Sequence, residues 1–423
     1  MPQRMSFAIR WLPLLLIGLL GCSSPVVRSQ TPDESLVEEP TDEGRRTVGD
    51  LARPWGMRRT TIEGIALVTN LNNTGSDPDA SSRRRVLIDD MKRRGVENPN
   101  SILGMPSTSL AIIRATLPPA AQKGDRIDVE VMTPSRSKTK SLRNGWLMNA
   151  RLQEMAVLGN RIRSGRVLGL AEGAVVVDAL LEDGSDNTLE TQGRILGGGV
   201  VQRPRMLGLK LRSEHHSVRA SALIGTTINE RFHTFDRGNK RGVANPKRDD
   251  FIELSVPTHY RNNIVRYIRV VQAIALNESP QERLERMPKL QPELLEPKTA
   301  VAAAVKLEAL GSEAIPILQK GLQSSSPLVR FAAAEALAYM DDESAVAVLA
   351  ESASSESAFR WHAITALGSM LKTDARDALA SLMQGASDEA RYGAFRALLD
   401  TNPRDPAVRG DVLGDTLALH VVP

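Results

Sequence analysis

The side chains that could do chemistry are few and scattered. His215 and His216 are adjacent, and with His233 they form the grouping among the chain's six histidines that could meet a metal. Adjacent residues on one strand point to opposite faces, and no nearby carboxylate pair is spaced for ligation, so the expected role is a solvated loop. Ser135–Lys138 and Ser137–Lys140 both spell Ser-x-x-Lys, but the apolar helix start and the distant partner motifs of that chemistry are absent; a basic surface loop is expected. Gly197-Gly198-Gly199 lies outside any strand-to-helix phosphate-binding frame and reads as a tight turn. No Walker loop, Gly-x-Ser-x-Gly or His-Glu-x-x-His occurs. No catalytic residue, metal or cofactor is therefore expected, and the chain does not read as an enzyme.

The elements that would hold such residues point the same way. The chain has 423 residues, 41% apolar and 25% charged, which fits a soluble chain of two or three domains. Its one cysteine excludes a disulfide scaffold and any cysteine-cluster metal site within the chain. A formal net charge of +4 conceals opposed parts. Residues 31–50 hold 2 Lys/Arg against 7 Asp/Glu, residues 51–275 hold 35 against 22, and residues 276–423 hold 14 against 21.

Arg4 and Arg10 precede an apolar run, Trp11–Leu20, too short to span a bilayer as a mature helix but suited to an export signal. Leu19-Leu20-Gly21-Cys22 follows, and it resembles the lipobox of bacterial lipoproteins. That resemblance implies lipidation at Cys22, which would anchor the chain through acyl chains contributing about 0.8 kcal/mol per buried methylene. Ser23 rather than Asp after the cysteine favours the outer membrane in familiar sorting rules. Residues 23–48, rich in Ser, Pro, Thr, Asp and Glu, read as a disordered tether.

From 49 to 275, short apolar runs of period two alternate with Gly and Pro. The expected strands are Ile65–Leu71, Leu110–Thr116, Arg126–Met132, Trp146–Leu152, Ala174–Leu181, Gly199–Gln202, Leu207–Arg212 and Phe251–Val256. Helices are expected at 82–94, 217–232 and 262–275, each with an apolar stripe. Strands and helices without βαβα regularity predict an α+β domain.

Within it, Gly64–Gly75 (with Leu71, Asn72 and Thr74), Leu117-Pro118-Pro119 leading to Gly124-Asp125-Arg126-Ile127-Asp128, Ser141-Leu142 with Gly145, Ala171–Val177, and Gly193-Arg194 stand in order. This series resembles the bacterial flagellar P-ring protein family and spans about half of the chain. The residues read as scaffold: prolines stop a strand, Gly-Asp makes a turn, and Asn-Asn-Thr-Gly tolerates left-handed backbone. Thr69 and Asn73 stand where the family often has Gly, and the chain after Ala275 departs from the family's C-terminal segment.

After a stretch read as a linker (276–298), the chain repeats. Arg330–Leu337, Arg360–Leu367 and Arg391–Leu398 share the unit Arg, aromatic, any, Ala, any, any, Ala, Leu at offsets of 30 and 31 residues, with a weaker copy ending at Glu308-Ala309-Leu310. Each copy is expected to be followed by a second apolar helix: Ala314–Leu322, Ala345–Ala353 and Ala375–Met383. The pattern over 299–410 resembles HEAT-like helical repeats, an all-α solenoid. Phe331, Trp361, Tyr392 and Leu337, Leu367, Leu398 are expected to fill its core. Residues 411–423 read as a short strand-like tail that either returns to the middle domain or stops short.

The resemblance implies a structural subunit that forms a ring homo-oligomer around the flagellar rod in the periplasm, near L-ring proteins and peptidoglycan. The basic clusters Arg83–Arg85, Lys92–Arg94, Arg136–Lys140 and Lys247-Arg248 would suit nucleic acid in the cytosol. In an exported chain they suit anionic envelope lipids or peptidoglycan carboxylates, so nucleic acid is not expected. The other reading is a non-flagellar envelope adaptor whose repeats bind a further, unidentified protein.

Overall fold

A computed structural model describes residues 46–158, 161–177, 190–236, 238–413 and 417–419. In chain order the strands are β1 (Ala52–Trp55), β2 (Thr60–Thr69), β3 (Ser109–Leu117), β4 (Arg126–Met132), β5 (Trp146–Leu158), β6 (Arg161–Ala174), β7 (Val176–Val177), β8 (Gln192–Val201), β9 (Leu207–Leu211), β10 (His233–Asp236), β11 (Asn239–Gly242), β12 (Ala244–Pro246), β13 (Phe251–Leu254), β14 (Asp411–Leu413) and β15 (Leu417–Leu419). The helices are α1 (Val48–Leu51), α2 (Ser82–Arg93), α3 (Pro99–Leu103), α4 (Val218–Arg231), α5 (Ile264–Gln272), α6 (Pro280–Leu295), α7 (Ala300–Leu310), α8 (Ile315–Gly321), α9 (Pro327–Tyr339), α10 (Val346–Ser355), α11 (Ser357–Ser369), α12 (Thr373–Leu382) and α13 (Asp388–Thr401).

The first part is built on an antiparallel sheet of order β4-β3-β2-β5-β6-β8-β7. β4 also pairs with β8, from Arg126 opposite Val200 to Met132 opposite Gln192, so six strands close into a barrel. Closure removes both sheet edges. A six-stranded barrel has a narrow interior, and small residues fill it: Ala66, Ala111, Ala115, Ala150 and Ala171 pack among Ile62, Val68, Ile113, Val129, Val131 and Leu152. β2 alternates strictly, and its outward Ile65 and Leu67 lie under α2 and α3 with Leu87, Met91 and Leu103. Ser81 caps α2 by accepting from the Arg84 amide at 3.1 Å. A second sheet, β1-β9-β13-β12, carries α4 on its flank.

The second part stacks α6–α13 in two rows. α7, α9, α11 and α13 neighbour one another in series, with α6, α8, α10 and α12 behind them. The helices approach closely because alanine lines their contacts: Ala332, Ala333, Ala334, Ala336 and Ala338 of α9 are all buried. The repeat arginine has a defined task. Arg330 donates to the Ser324 and Ser325 carbonyls at 3.0 and 3.1 Å, Arg360 to Ala353 at 3.0 Å, and Arg391 to Gly385 and Ala386 at 2.9 and 3.2 Å. Each closes the loop before its own helix. An α+β domain followed by a HEAT-like helical solenoid is the fold class expected.

Several expectations are corrected. Residues 276–298 are not a linker: α6 fills most of them, started by a Ser279–Glu282 capping box with Pro280 at its first turn, and seated by buried Met287, Leu290 and Leu294. The first part includes residues ahead of the expected boundary at 49: Thr47 bridges to Ala275 and Val48 is buried. Trp361 and Tyr392 are not core: they are 66% and 49% exposed, whereas Phe331 is 6% exposed. The cause is the facing residue. Phe331 stacks on Phe359 at 4.6 Å between ring centroids, but the position equivalent to Phe359 in the next repeat is Ala390, too small to cover Trp361. No further repeat follows to cover Tyr392 among the described residues. Leu337, Leu367 and Leu398 are buried. Among the described residues of the tail, β15 pairs with β14, Leu417 opposite Leu413, and not with the middle domain. β6 was not expected; of the expected strand Ala174–Leu181, Ala174 ends β6 and Val176–Val177 form β7, 178–181 lying outside the described residues.

Candidate assembly site between the barrel end and the repeats

The residues of the recognised motifs divide between the two ends of the barrel. At one end, Leu71 and Leu142 are buried in the core, Thr74 donates its hydroxyl to the Ser141 carbonyl at 2.8 Å, and Lys140 donates its amide to Thr74 at 2.8 Å. Gly75 is required there: a Cβ would lie 2.1 Å from the Thr108 carbonyl oxygen. Asn70 and Asn73 take left-handed φ of 64° and 59°, so Asn73 serves where the family often has Gly. Asn72 is exposed, and Gly145 packs against Val68 and Leu71. Gly193, against Val176, is near this end, and Arg194, next to it near the start of β8, sits opposite Glu130. Gly64 lies within β2, where the Arg151 carbonyl leaves no room for a side chain.

At the other end, β3 stops at Leu117 because Pro118 and Pro119 supply no amide to the ladder. Gln122 donates its amide to the Asp125 carboxylate at 2.7 Å, and Gly124 adopts φ 93°, a left-handed turn that disfavours side chains. The Gly124 amide donates to Val201 at 2.8 Å. Arg205 clamps the loop, donating to the Leu117 and Pro118 carbonyls at 3.1 and 2.9 Å and to Arg58 at 2.7 Å. Half-buried Ile127 packs on the core.

This end faces the repeats. Asp125 accepts from Arg261 at 2.5 Å, and Asp128 accepts from the Gly197 amide at 2.7 Å while standing 4.0 Å from Arg396 of α13. A cleft of about 1530 Å³ opens between them. The motif loop and Leu196, Arg205, Met206 and Val265 line one side; Tyr392, Phe395, Arg396 and Asp400 line the other. Leu196, Met206, Val265 and Tyr392 are exposed apolar residues in it, and Arg59, Lys123, Arg126 and Arg261 are exposed cations at its rim.

Beside the cleft, the two parts are joined by a buried polar cluster that the sequence did not reveal. Arg266 of α5 donates to Glu308 of α7, Nε to Oε2 at 2.9 Å, and to Glu335 of α9. Tyr260 donates to Glu308 Oε1 at 2.6 Å and stacks on Tyr339, centroids 4.9 Å apart. Arg231 donates to the Glu308 carbonyl at 2.8 Å, Asn263 to the Tyr339 hydroxyl at 2.9 Å, and His259 Nδ1 to the Ser369 carbonyl at 2.7 Å. Burial alone would lower the Arg266 guanidinium, but Glu308 and Glu335 hold it above its ordinary value. Burial raises the Glu308 carboxyl, with Arg266 opposing. The signal was present in the repeat. Its sixth position is Glu308, Glu335 and Arg396 in three copies, and each of these faces the first part.

Elsewhere, His215 ends a 3₁₀ turn rather than lying on a strand, and His216 Nε2 bonds the Leu211 carbonyl at 3.0 Å. Ser137 accepts from the Thr139 amide at 3.2 Å. Among the described residues no group of three or more His, Cys, Asp or Glu is placed to hold a metal. The arginines of α2 and its C-cap are partly engaged: Arg84 with Asp77 at 3.2 Å and Arg94 with Asp90 at 2.8 Å. Cys22 lies outside the described residues.

A closed barrel domain with this motif series, carrying a docked HEAT-like solenoid, defines a scaffold class of protein. The family model for the flagellar P-ring protein matches residues 47–285, and a HEAT-repeat model matches residues 287–358. The chain belongs to the flagellar P-ring protein family. It is 26% identical over 246 residues to the flagellar P-ring protein of Thermotoga maritima, covering 56% of this chain and 69% of that one. It is 26% identical over 231 residues to that of Geobacter metallireducens, covering 52% and 59%. Among solved structures, the complex of CpcE and CpcF of phycocyanin lyase from Nostoc sp. PCC7120 aligns at a TM-score of 0.25 and 22% identity, over 30% of this chain and 85% of that one. That score is too low to define a common architecture.

Proposed function

We propose that this chain is a structural subunit of the flagellar basal body that assembles with copies of itself into a ring around the rod in the periplasm. The observation that carries the reading is the family match over 47–285, together with a barrel held by the motif residues at both ends. The motif side chains do scaffold work, stopping strands and making turns, which supports a non-enzymatic role. The lipobox-like Leu19–Cys22 supports export and lipid anchoring, at the outer membrane. The exposed cations Arg83, Arg85, Arg136, Lys138 and Lys140 suit peptidoglycan carboxylates or anionic lipids.

Two experiments test this. The full chain purified in detergent is expected to sediment as a ring or large homo-oligomer. A monomer across a hundredfold concentration series would overturn the reading. Deleting the gene is expected to abolish swimming while leaving the envelope intact. Intact swimming with altered envelope composition would instead support an envelope adaptor, the reading favoured by the exposed Trp361 on the repeats.

A further inference from the structure

A helical solenoid buries each layer against the next, and its terminal layers normally present a polar outer face. α6, at the first end of this stack, does so only in part. Its buried stripe is Met287, Leu290 and Leu294. On the outward side, Leu284, Pro288, Pro292 and Leu295 fall within about 100° of one another at 100° per residue, and all four are exposed. Pro288 and Pro292 lack amide hydrogens, so the donors that would reach the Leu284 and Pro288 carbonyls are missing. The outer face of α6 thus carries an apolar stripe with unused carbonyl acceptors, with exposed Gln281 at its start and exposed Glu285, Lys289 and Glu296 along one flank.

The cleft at the other end of the stack has complementary features. Its apolar side chains Leu196, Met206, Val265 and Tyr392 are exposed, and its rim carries Arg59, Lys123, Arg126 and Arg261. Arg261 is already paired with Asp125 and Arg126 with the Gly197 carbonyl, whereas Arg59 and Lys123 have no anionic partner among the described residues. Cations there suit both the carboxylates and the unused carbonyls of α6. The size also suits a helix: a cylinder 10 Å across rising 1.5 Å per residue fills a space of about 1500 Å³ with roughly 13 residues, and α6 has 16.

We propose that α6 of one copy seats in the cleft of the next, a head-to-tail contact in which the solenoid and the barrel end alternate around the assembly. This rests on the ring-forming reading above and specifies its surfaces. A contact between two different patches is heterologous, and it generates a closed ring when the rotation closes.

Cross-linking tests the contact. The full chain with Cys22→Ser is prepared as two variants, Leu284→Cys and Met206→Cys, mixed in detergent and oxidised. A disulfide-linked dimer containing both variants is expected in the mixture, at a yield well above that of either variant alone. A second measurement is sedimentation of Leu284→Asp/Leu295→Asp, whose changed residues are exposed and leave the fold to be checked by circular dichroism. Self-association is expected to weaken by about tenfold or more, from the apolar area lost. If the unmodified chain assembles but shows neither the mixed disulfide nor that weakening, the contact is wrong and the ring-forming reading stands. If the unmodified chain stays monomeric at every concentration, both fall.

Discussion

At the residue scale, the most consequential side chain is Arg266, buried between two glutamates of the repeats. Removing one member of a buried ion cluster leaves uncompensated charge, which costs about 3–5 kcal/mol. Arg266→Ala is therefore expected to lower stability by about that amount at neutral pH, measured by urea unfolding. The pH dependence has a definite sign. Burial raises the Glu308 carboxyl from its ordinary value of 4.5, and Arg266 opposes that rise. Without Arg266 the folded-state value climbs further. The folded state then holds a proton that the unfolded state releases, so stability falls as pH rises from the ordinary carboxylate range toward the raised value. The variant should regain stability as pH is lowered from 7 toward 5, and Arg266→Ala/Glu308→Gln should lose that dependence. A pH-independent loss would refute this account of the cluster.

At the element scale, α6 shows why some of the fold was legible and some was not. Two internal prolines each remove a ladder bond, and the stretch therefore read as a linker. Its start compensates. Ser279 accepts from the Glu282 amide at 3.3 Å, and Glu282 accepts from the Ser279 amide at 2.8 Å. Ser279→Ala is expected to destabilise the chain by about 1 kcal/mol, with Thr restoring most of it, read as a shift in urea midpoint. An unchanged midpoint would mean that packing of Met287, Leu290 and Leu294 alone holds the helix. Strands with clean alternation were readable, as in β4, which matches its expected bounds of Arg126–Met132. β6 was not, because Gly165, Gly169 and Gly173 and its arginines interrupt the alternation. The aromatic stripe misled for a different reason: burial of Phe331 depends on Phe359 in the next helix, and no property of Trp361 itself reveals that Ala390 stands in that place. The site was half legible. The motif loop at Leu117–Asp128 could be named from its prolines and glycine, but its partners Arg205, Arg261 and Arg396 lie 88, 136 and 268 residues away from Leu117, Asp125 and Asp128.

At the scale of the whole molecule, the opposed charges of the sequence have a structural use. The basic first part and the acidic repeats meet through Arg231 and Arg266 on one side and Glu308 and Glu335 on the other, with Asp128 and Arg396 extending the contact across the cleft. Domains within one chain usually touch through polar, mobile interfaces. Here the interface buries an ion cluster and three tyrosines, Tyr260, Tyr267 and Tyr339, and burial holds all three hydroxyls above their ordinary range. Separating the parts would expose that aromatic surface and strand Arg266 and the two carboxylates. Neither part should then persist folded while the other melts. Differential scanning calorimetry of the full chain is expected to give one transition, with equal calorimetric and van't Hoff enthalpies. Glu308→Ala/Glu335→Ala removes the repeats' half of the cluster and should split that transition in two. Two transitions in the unmodified chain would show that the repeats are tethered rather than docked, and the cleft between them would lose its fixed shape.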